Sequence, residues 1–456
     1  METAVVILAA GQGTRMKSKL PKVIHPVAGQ PMVQWVVNAV LPLSKQPPVV
    51  VVGYGAELVR AALGERVTYA VQPEQLGTGH AVMQAQDTLQ SKVDAVLVVY
   101  GDMPLLATET LRHLIATHEG GEQPITMLTT LYDDSMGFGR VLRDERGQVL
   151  GIVEEAQATP EQLRIRELNC GVYVFDADWL WAHLSKIPRS PKGEYYLTDL
   201  VGIAIAEGAR VEALVASDPV EVLGVNDRVH LARVESIVRQ RIRENCMRSG
   251  VTLMDPSTTY IDAMVSIGQD TIIYPNTHLQ GKTIIGNDCI IGPNTVIRDS
   301  RIGDHCRIGT SVLEEAEVEA NVEIGPFAHL RRGAHLAEGV HMGNFGEVKN
   351  SYLGPGTKMG HFSYIGDATI GQNVNIGAGT VTCNFDGERK HPTHIEDNAF
   401  IGSDTMLVAP VRVGKGAKTG AGSVVTHDVP PESVVYGVPA RVRRKKGEKQ
   451  RGKNQR

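Results

Sequence analysis

Ile285-Gly286-Asn287-Asp288-Cys289 and Ile291-Gly292-Pro293-Asn294-Thr295 are successive copies of one six-residue unit. An aliphatic residue opens the unit, Gly often follows, and a small residue stands four places on. The aliphatic ladder runs from Ile267 through Ile273, Leu279, Ile285, Ile291 and Ile297 to Ile302 and Ile308. It resumes at Ile324 and continues through Met359, Ile376 and Ile401 to Val425, slipping by one place at Ile302, Leu353 and Ile370. A helix or a twisted sheet has no use for a period of six. A parallel β-helix does, because each hexad forms one short flat face with its aliphatic side chain inside the coil. At about eighteen residues per coil, the region predicts roughly nine or ten coils. Residues off the aliphatic position look outward and are free for chemistry. Between Thr382 and Ile395 the period breaks, and Cys383-Asn384-Phe385-Asp386-Gly387 opens an excursion expected to belong to a site.

The first half has a different pattern. Apolar strands at Val5–Leu8, Val49–Val52 and Ala95–Tyr100 alternate with helical stretches at Met32–Val40 and Thr108–Thr117. That alternation predicts a largely parallel sheet. Arg140–Leu142 and Val149–Val153 read as a hairpin, Gly171–Phe175 as a strand before a helix near Asp178–Leu184. From Asp227 to Arg248 a charged segment carries Leu231, Val234, Val238 and Ile242 at helical spacing, as a connecting helix would.

A chain of 456 residues is too long for one core. Its formal charge of −5 gives no reason to expect nucleic acid. The five cysteines form no CxxC pair, which argues against structural zinc and for a reducing compartment. Cys289 and Cys306 lie about one coil apart and are expected to stack as core filling. No apolar run is long enough to span a membrane, and Ala4 to Ala10 is a buried strand rather than a signal peptide. A soluble, cytoplasmic protein is expected. Arg441 to Arg456 is strongly basic and is expected to be a disordered tail, with weak attraction of a polyanion as the alternative.

Leu8-Ala9-Ala10-Gly11-Gln12-Gly13-Thr14-Arg15-Met16 follows the first strand, with Lys22 close behind. Backbone N–H groups in a Gly-rich turn at the end of a parallel strand suit a polyphosphate. It is not a P-loop, lacking Gly-Lys-Ser/Thr, and Met16 replaces the third Gly of the dinucleotide fingerprint. Arg15 and Lys22 add cations that can neutralise a departing pyrophosphate. Asp102, emerging from the Ala95–Tyr100 strand, is placed to hold Mg²⁺ against phosphate oxygens; a turn cap is the plainer alternative.

LAAGQGTRM, LPKV, EQLGTGHA, YGDMPL, GFGR, GIVEE, ELNCG, GEYYLTD and GVNDR resemble sugar-nucleotide pyrophosphorylases. IGPFAHLR, GNFGEVK, GHFSYIGD, NVNIGAGT, CNFDG and IGSDTMLVAP extend the likeness to about Val438. Together they resemble the bacterial family of bifunctional N-acetylglucosamine-1-phosphate uridylyltransferases / glucosamine-1-phosphate N-acetyltransferases. The resemblance implies an α/β fold: a Rossmann-like nucleotidyltransferase domain with a mostly parallel sheet, then a left-handed parallel β-helix. The divisions expected are 1–226, a linking helix over 227–250, the β-helix over 251–440 and the tail over 441–456.

By the same resemblance, Leu8, Ala9, Ala10, Gly11, Gln72, Gly77 and Thr78 would hold uracil and ribose, with Lys22 near the phosphates, where the cation of Arg15 is already expected. Asp102 and Asn226 would bind Mg²⁺, and Gly139, Glu154 and Asn169 would contact the N-acetylsugar. In the β-helix, His361 stands two places after Met359 and so points outward. His329, His335 and His341 are spaced by six, but successive hexads lie on different faces, which argues against a metal cluster. The resemblance makes His361 the general base of acetyl transfer. It gives Arg331, Lys349, Tyr364 and Asn375 to the sugar phosphate, and Asn384 to the amine. Ala378, Asn384, Phe385, Ser403, Ala421 and Arg441 would line the acetyl-CoA site. Phe385 stands where relatives often carry Tyr, and Gly437 to Arg441 departs from close relatives, so the assignment of Arg441 is the loosest.

The expected activity is acetyl transfer from acetyl-CoA to glucosamine 1-phosphate. UMP transfer from UTP to N-acetylglucosamine 1-phosphate then follows, with release of pyrophosphate. The product, UDP-N-acetylglucosamine, would feed wall peptidoglycan and lipopolysaccharide, and a homotrimer with shared sites is expected. Two rivals remain: a single-activity pyrophosphorylase on an assembling β-helix, and a non-catalytic scaffold.

Overall fold

The apolar run at Val5–Leu8 is the middle of a strand, Thr3–Ala9, buried along its whole length in the computed structural model, which describes residues 1–133 and 137–445. A strand covered on both faces needs no polar alternation. Here Ala4, Val6 and Leu8 enter one core cluster, and Val5, Ile7 and Ala9 enter another. Thr3–Ala9 pairs in parallel with Val49–Val52 and with Ala95–Tyr100. The sheet order is Val211–Val215, Ile125–Leu131, Glu167–Asp176, Ala95–Tyr100, Thr3–Ala9, Val49–Val52, Thr68–Val71. Glu167–Asp176 is antiparallel to both neighbours, and the hairpin Arg140–Arg143/Val149–Val153 attaches at its start. The sheet is thus mixed and mostly parallel. Its three adjacent parallel strands deliver Ala10, Gly53 and Gly101 to one edge, where open α/β sheets take ligands.

Two compact units divide the chain, Met1–Val238 and Arg239–Arg456. The helix Arg228–Arg248 begins in the first and ends in the second. In the second unit the hexads form a parallel β-helix whose three faces carry 12, 10 and 9 strands. Every rung of the ladder is buried except Ile267, which is half-buried. Burying one aliphatic side chain contributes about 2 kcal/mol, so stacked rungs supply most of the unit's driving force. The gap between Ile308 and Ile324 is filled by Leu313 and Val318, which pair in register with Ile297 and Ile302. Two successive five-residue steps hide them from a count by six.

Cys289 and Cys306 are buried, free and adjacent across one coil. His329, His335 and His341 sit on three different faces, each beside its own glutamate, Glu314, Glu319 and Glu323. One expectation is corrected. The basic stretch does not begin as a disordered tail: Ala440–Lys445 is a strand antiparallel to Ser433–Gly437, with Val435 opposite Val442. Residues 446–456 lie outside the described residues. Among the described residues no helix is long and apolar enough to cross a membrane.

Coils approach so closely at their corners that only Gly fits. A Cβ at Gly343 would lie 2.0 Å from the Gly360 carbonyl oxygen one coil on. That neighbour is backbone and cannot rotate away. Gly343→Ala is expected to destabilise the β-helix by about 3 kcal/mol, read as a fall in Tm.

Candidate functional site

In the first unit, the turn after Thr3–Ala9 is shaped by Gly13. Its φ is +69°, and a Cβ there would fall 2.5 Å from Lys22 Cβ. Glycine therefore lets the loop close onto Lys22. At Gly11 a Cβ would meet nothing within 4 Å, because that residue faces open space. Lys22 pairs with Asp102 and sits 3.4 Å from Asn226 Oδ1, which also accepts from Arg15 at 2.9 Å. Asp102 is further tied by its carbonyl, which accepts from Val225 N–H at 2.9 Å, placing Asn226 beside it. Residues 80 to 211 positions apart in sequence thus converge on one point.

Two cavities share Lys22, Tyr100 and Asp102. One, of about 300 Å³, is lined by Leu8 to Gly11, Gln72, Gly77, Thr78, Gln75, Glu194 and Tyr196. The other, of about 270 Å³, is lined by Gly139, Glu154, Asn169, Thr198 and Asn226. Every first-unit residue given a ligand or metal role in sequence lines one of them, apart from Arg15, which touches Asn226. In the second cavity Asn169 Oδ1 already accepts from Gly171 N–H at 3.1 Å and from the Tyr173 hydroxyl at 3.0 Å. Its amide N–H₂ is left to serve the cavity. Gly171, at φ +77°, makes the bulge that aims Asn169, and a Cβ there would strike the Tyr100 ring. Burial, then the Asp199 carboxylate, pushes the Glu154 carboxyl above its ordinary range.

Four groups escaped sequence reading. Glu194 and Tyr196 lie within the quoted GEYYLTD stretch, but no role was read for them there. Arg140, almost fully buried, donates to the Phe138 carbonyl and reaches Glu155 at 3.2 Å, bracing both ends of the hairpin at the second cavity. His80 contacts Gln72, eight residues away. An Arg at an otherwise apolar strand start was the available signal for the third.

On the β-helix, register places Met359 beside Ile376 and Ile376 beside Ile401, with Phe400 beside Lys418. Two places on, His361, Ala378, Ser403 and Ala421 therefore form a row along one corner of four successive coils. His361 is exposed there. The adjoining face carries the second group. Arg331 follows His329–Leu330, while Lys349 and Tyr364 lie on neighbouring strands. A Cβ at Gly366 would fall 2.4 Å from the Tyr364 hydroxyl and 2.8 Å from Asn384 Nδ2, so those two groups meet above that glycine. Asn375 is not with them: it lies on the preceding face, between Lys358 and Phe400.

The excursion begins at Asn384, whose amide donates to Asp367 Oδ2 at 2.6 Å. Asp367 also accepts from Asn350 and lies 3.8 Å from Lys390 Nζ. Lys390, first of all, and then Arg331 hold the Lys349 ammonium below its ordinary pKa. Three cations thus gather at one place, a suitable seat for a dianion. No role was read for Asp367 or Lys390 in sequence, because an acid in a turn and a Lys in a loop carry no periodic signal. Phe385 is exposed on the loop, and Arg441 is exposed on its strand with Nη1 on its own Ala440 carbonyl.

Comparison with known proteins bears on both units. A MobA-like NTP transferase domain matches residues 5–163, and the bacterial transferase hexapeptide repeat matches 264–299 and 392–427. Bifunctional protein GlmU of Heliobacterium modesticaldum is 51% identical over 426 residues, 93% of each chain. The chain belongs to the GlmU family. The GlmU proteins of Exiguobacterium sp. and Exiguobacterium sibiricum are 49% and 51% identical, covering 95% and 94% of this chain and 96% of each relative. A GlmU-family chain is a bifunctional enzyme, an acetyltransferase and a uridylyltransferase in one polypeptide. The pure scaffold is thereby set aside, and so is the single-activity pyrophosphorylase.

Proposed function

We propose that the β-helix acetylates glucosamine 1-phosphate from acetyl-CoA, and that the first unit then transfers UMP from UTP to the N-acetylglucosamine 1-phosphate formed. The observation that carries this order of parts is the pair of cavities meeting at Lys22 and Asp102. The uracil and ribose would occupy the side of Gln72, Gly77 and Thr78, and the N-acetylsugar the side of Gly139, Glu154 and Asn169. The sugar phosphate and the α-phosphorus would then meet at the shared wall. A phosphate oxygen attacks that phosphorus in line, the bond to the β-phosphate breaks, and pyrophosphate departs past Arg15 and Lys22. No covalent enzyme intermediate is needed.

Asp102 and Asn226 present two hard oxygens to a common cation, at present the Lys22 ammonium. That donor set fits Mg²⁺, which takes one or two protein oxygens and completes its shell with water and phosphate. When bound, Mg²⁺ would neutralise charge on the phosphates. Asp102 and Asn226 would orient it, and Lys22 would turn from Asp102 to the phosphates.

In the acetyl transfer His361 accepts a proton from the glucosamine ammonium. The freed amine attacks the thioester carbonyl, and the coenzyme leaves as its thiol after reprotonation. Arg331, Lys349 and Tyr364 would hold the sugar phosphate, with Asn375 reaching in from the preceding face. Asn384 would position the amine. Ala378, Ser403 and Ala421 would line the acetyl-CoA path along the corner, with Phe385 and Arg441 near its ends. The exposed row Phe327, Phe345 and Phe362 runs beside His361, and the first two rings stack at 5.2 Å. Covering that row is best done by another coil, so a homotrimer with shared sites is proposed. Sedimentation should give a trimer mass; a monomer with full acetyl transfer would refute shared sites. A cytoplasmic location and a role in wall precursor synthesis follow from the substrates.

Glu154 supplies a pH test. Its carboxyl accepts from sugar hydroxyls through both oxygens only when ionised, and its pKa is raised, so binding should weaken as pH falls through mildly acidic values. The KM for N-acetylglucosamine 1-phosphate should climb there, and Glu154→Gln should flatten that climb. An unchanged climb in the variant would remove Glu154 from the sugar site.

A further inference from the structure

Gln72 and His80 fix each other at the wall of the first cavity. Gln72 is buried just past the strand Thr68–Val71, and its Nε2 donates to the Gly77 carbonyl at 3.0 Å. The same nitrogen lies 3.1 Å from His80 Nδ1. A peptide carbonyl can only accept, so the amide has one possible orientation, with both hydrogens spent on Gly77 and His80. For His80 this sets a tautomer: Nδ1 accepts and the ring proton sits on Nε2. Among the described residues no donor reaches Gln72 Oε1, on a side chain that lines the cavity. The His80 ring is held in turn by the helix Thr78–Met83 and lies 6.5 Å from the Tyr195 ring.

We infer that His80 is a specificity-determining positioning residue: by accepting from Gln72 it keeps the amide carbonyl toward the nucleobase. Such a site takes a pyrimidine whose N3 carries a hydrogen, as in uracil, and rejects one whose N3 is an acceptor, as in cytosine. Two acceptors facing each other across a buried wall lose a hydrogen bond and leave both groups unpaired. Without His80, only the bond to the Gly77 carbonyl opposes turning the amide to offer its N–H₂ to cytosine, so the preference for uracil is weakened rather than fixed. All of this holds only if the base lies against Gln72, as proposed above.

The test is kcat/KM for UTP and for CTP, with N-acetylglucosamine 1-phosphate, in the full chain and in His80→Leu, His80→Asn and Gln72→Ala. The melting transition of the isolated variants, compared with that of the full chain, reports folding of the first unit. His80→Leu should lower the UTP-to-CTP ratio by about tenfold, the weight of one neutral hydrogen bond, through KM rather than kcat. His80→Asn, whose Oδ1 can replace Nδ1 as acceptor, should keep the ratio. Should the leucine protein fail to fold, His80→Ala, which adds no bulk, gives the same comparison. A ratio unchanged in the His80→Leu or His80→Ala protein, while Gln72→Ala abolishes it, overturns the role of His80. A ratio unchanged in Gln72→Ala removes the base from this cavity, and the inference goes with it.

Discussion

In the Asp102→Ala protein, pyrophosphate release from UTP is expected to fall by about 10³-fold, roughly 4 kcal/mol of transition-state stabilisation. Thiol release from acetyl-CoA should continue. The first half of the expectation rests on convergence. Among the described residues Asp102 is the one carboxylate that lines both cavities; Glu194 lines only the first and Glu154 only the second. Its removal leaves Lys22 with a neutral amide at 3.4 Å as its remaining partner. Lys22 and any Mg²⁺ then lose the anion that holds them where charge develops. The second half rests on separation, because the residues proposed for acetyl transfer all lie in the other compact unit. Chelation of divalent cations should reproduce the asymmetry in the unmodified chain. If Asp102→Ala abolished both activities in a folded protein, the assignment of one activity to each unit would be wrong.

The His361→Ala protein should lose acetyl transfer by about 10³-fold, the middle of the range for removing a general base. Its Tm should not change, since His361 is exposed and makes no hydrogen bond among the described residues. That combination separates chemistry from folding better than any buried residue would. UMP transfer should be intact. Acetyl transfer persisting at more than a tenth of its original rate would place the base elsewhere, with His391 on the neighbouring loop the first to examine. Its Nε2 is already engaged with Asp386 Oδ2 at 2.6 Å, which keeps that nitrogen from substrate.

The β-helix was legible because one side chain in six is forced inward, and the spacing of Ile273, Leu279, Ile285 and Ile291 leaves no other fold. Leu313 and Val318 escaped because corners absorb single-residue slips without disturbing the pairing of Ile297 with Leu313. The strand Ala440–Lys445 escaped because a run of cations masks Val442, and strand formation there is a gift of its partner Ser433–Gly437. In the first unit, Gly13, Lys22 and Asp102 could be read from sequence, since Gly-rich turns after apolar strands have few other uses. What could not be read is pairing between side chains: Arg140 with Glu155, Asp367 with Asn384, Gln72 with His80. Each depends on where two elements meet, and no local period records that.

The corner row His361, Ala378, Ser403 and Ala421 has a length set by the backbone alone. Adjacent strands repeat about every 4.8 Å, so three steps measure roughly 14 Å. A coil inserted between His361 and Ala421 would satisfy every core contact, since each coil recognises only its neighbours. It would nonetheless stretch the row by one repeat. The β-helix is therefore a graduated scale: its stability is indifferent to the number of coils, while anything elongated that must touch both ends of the row is not. Selection on coil number between those residues then acts through the ligand's length rather than through the fold.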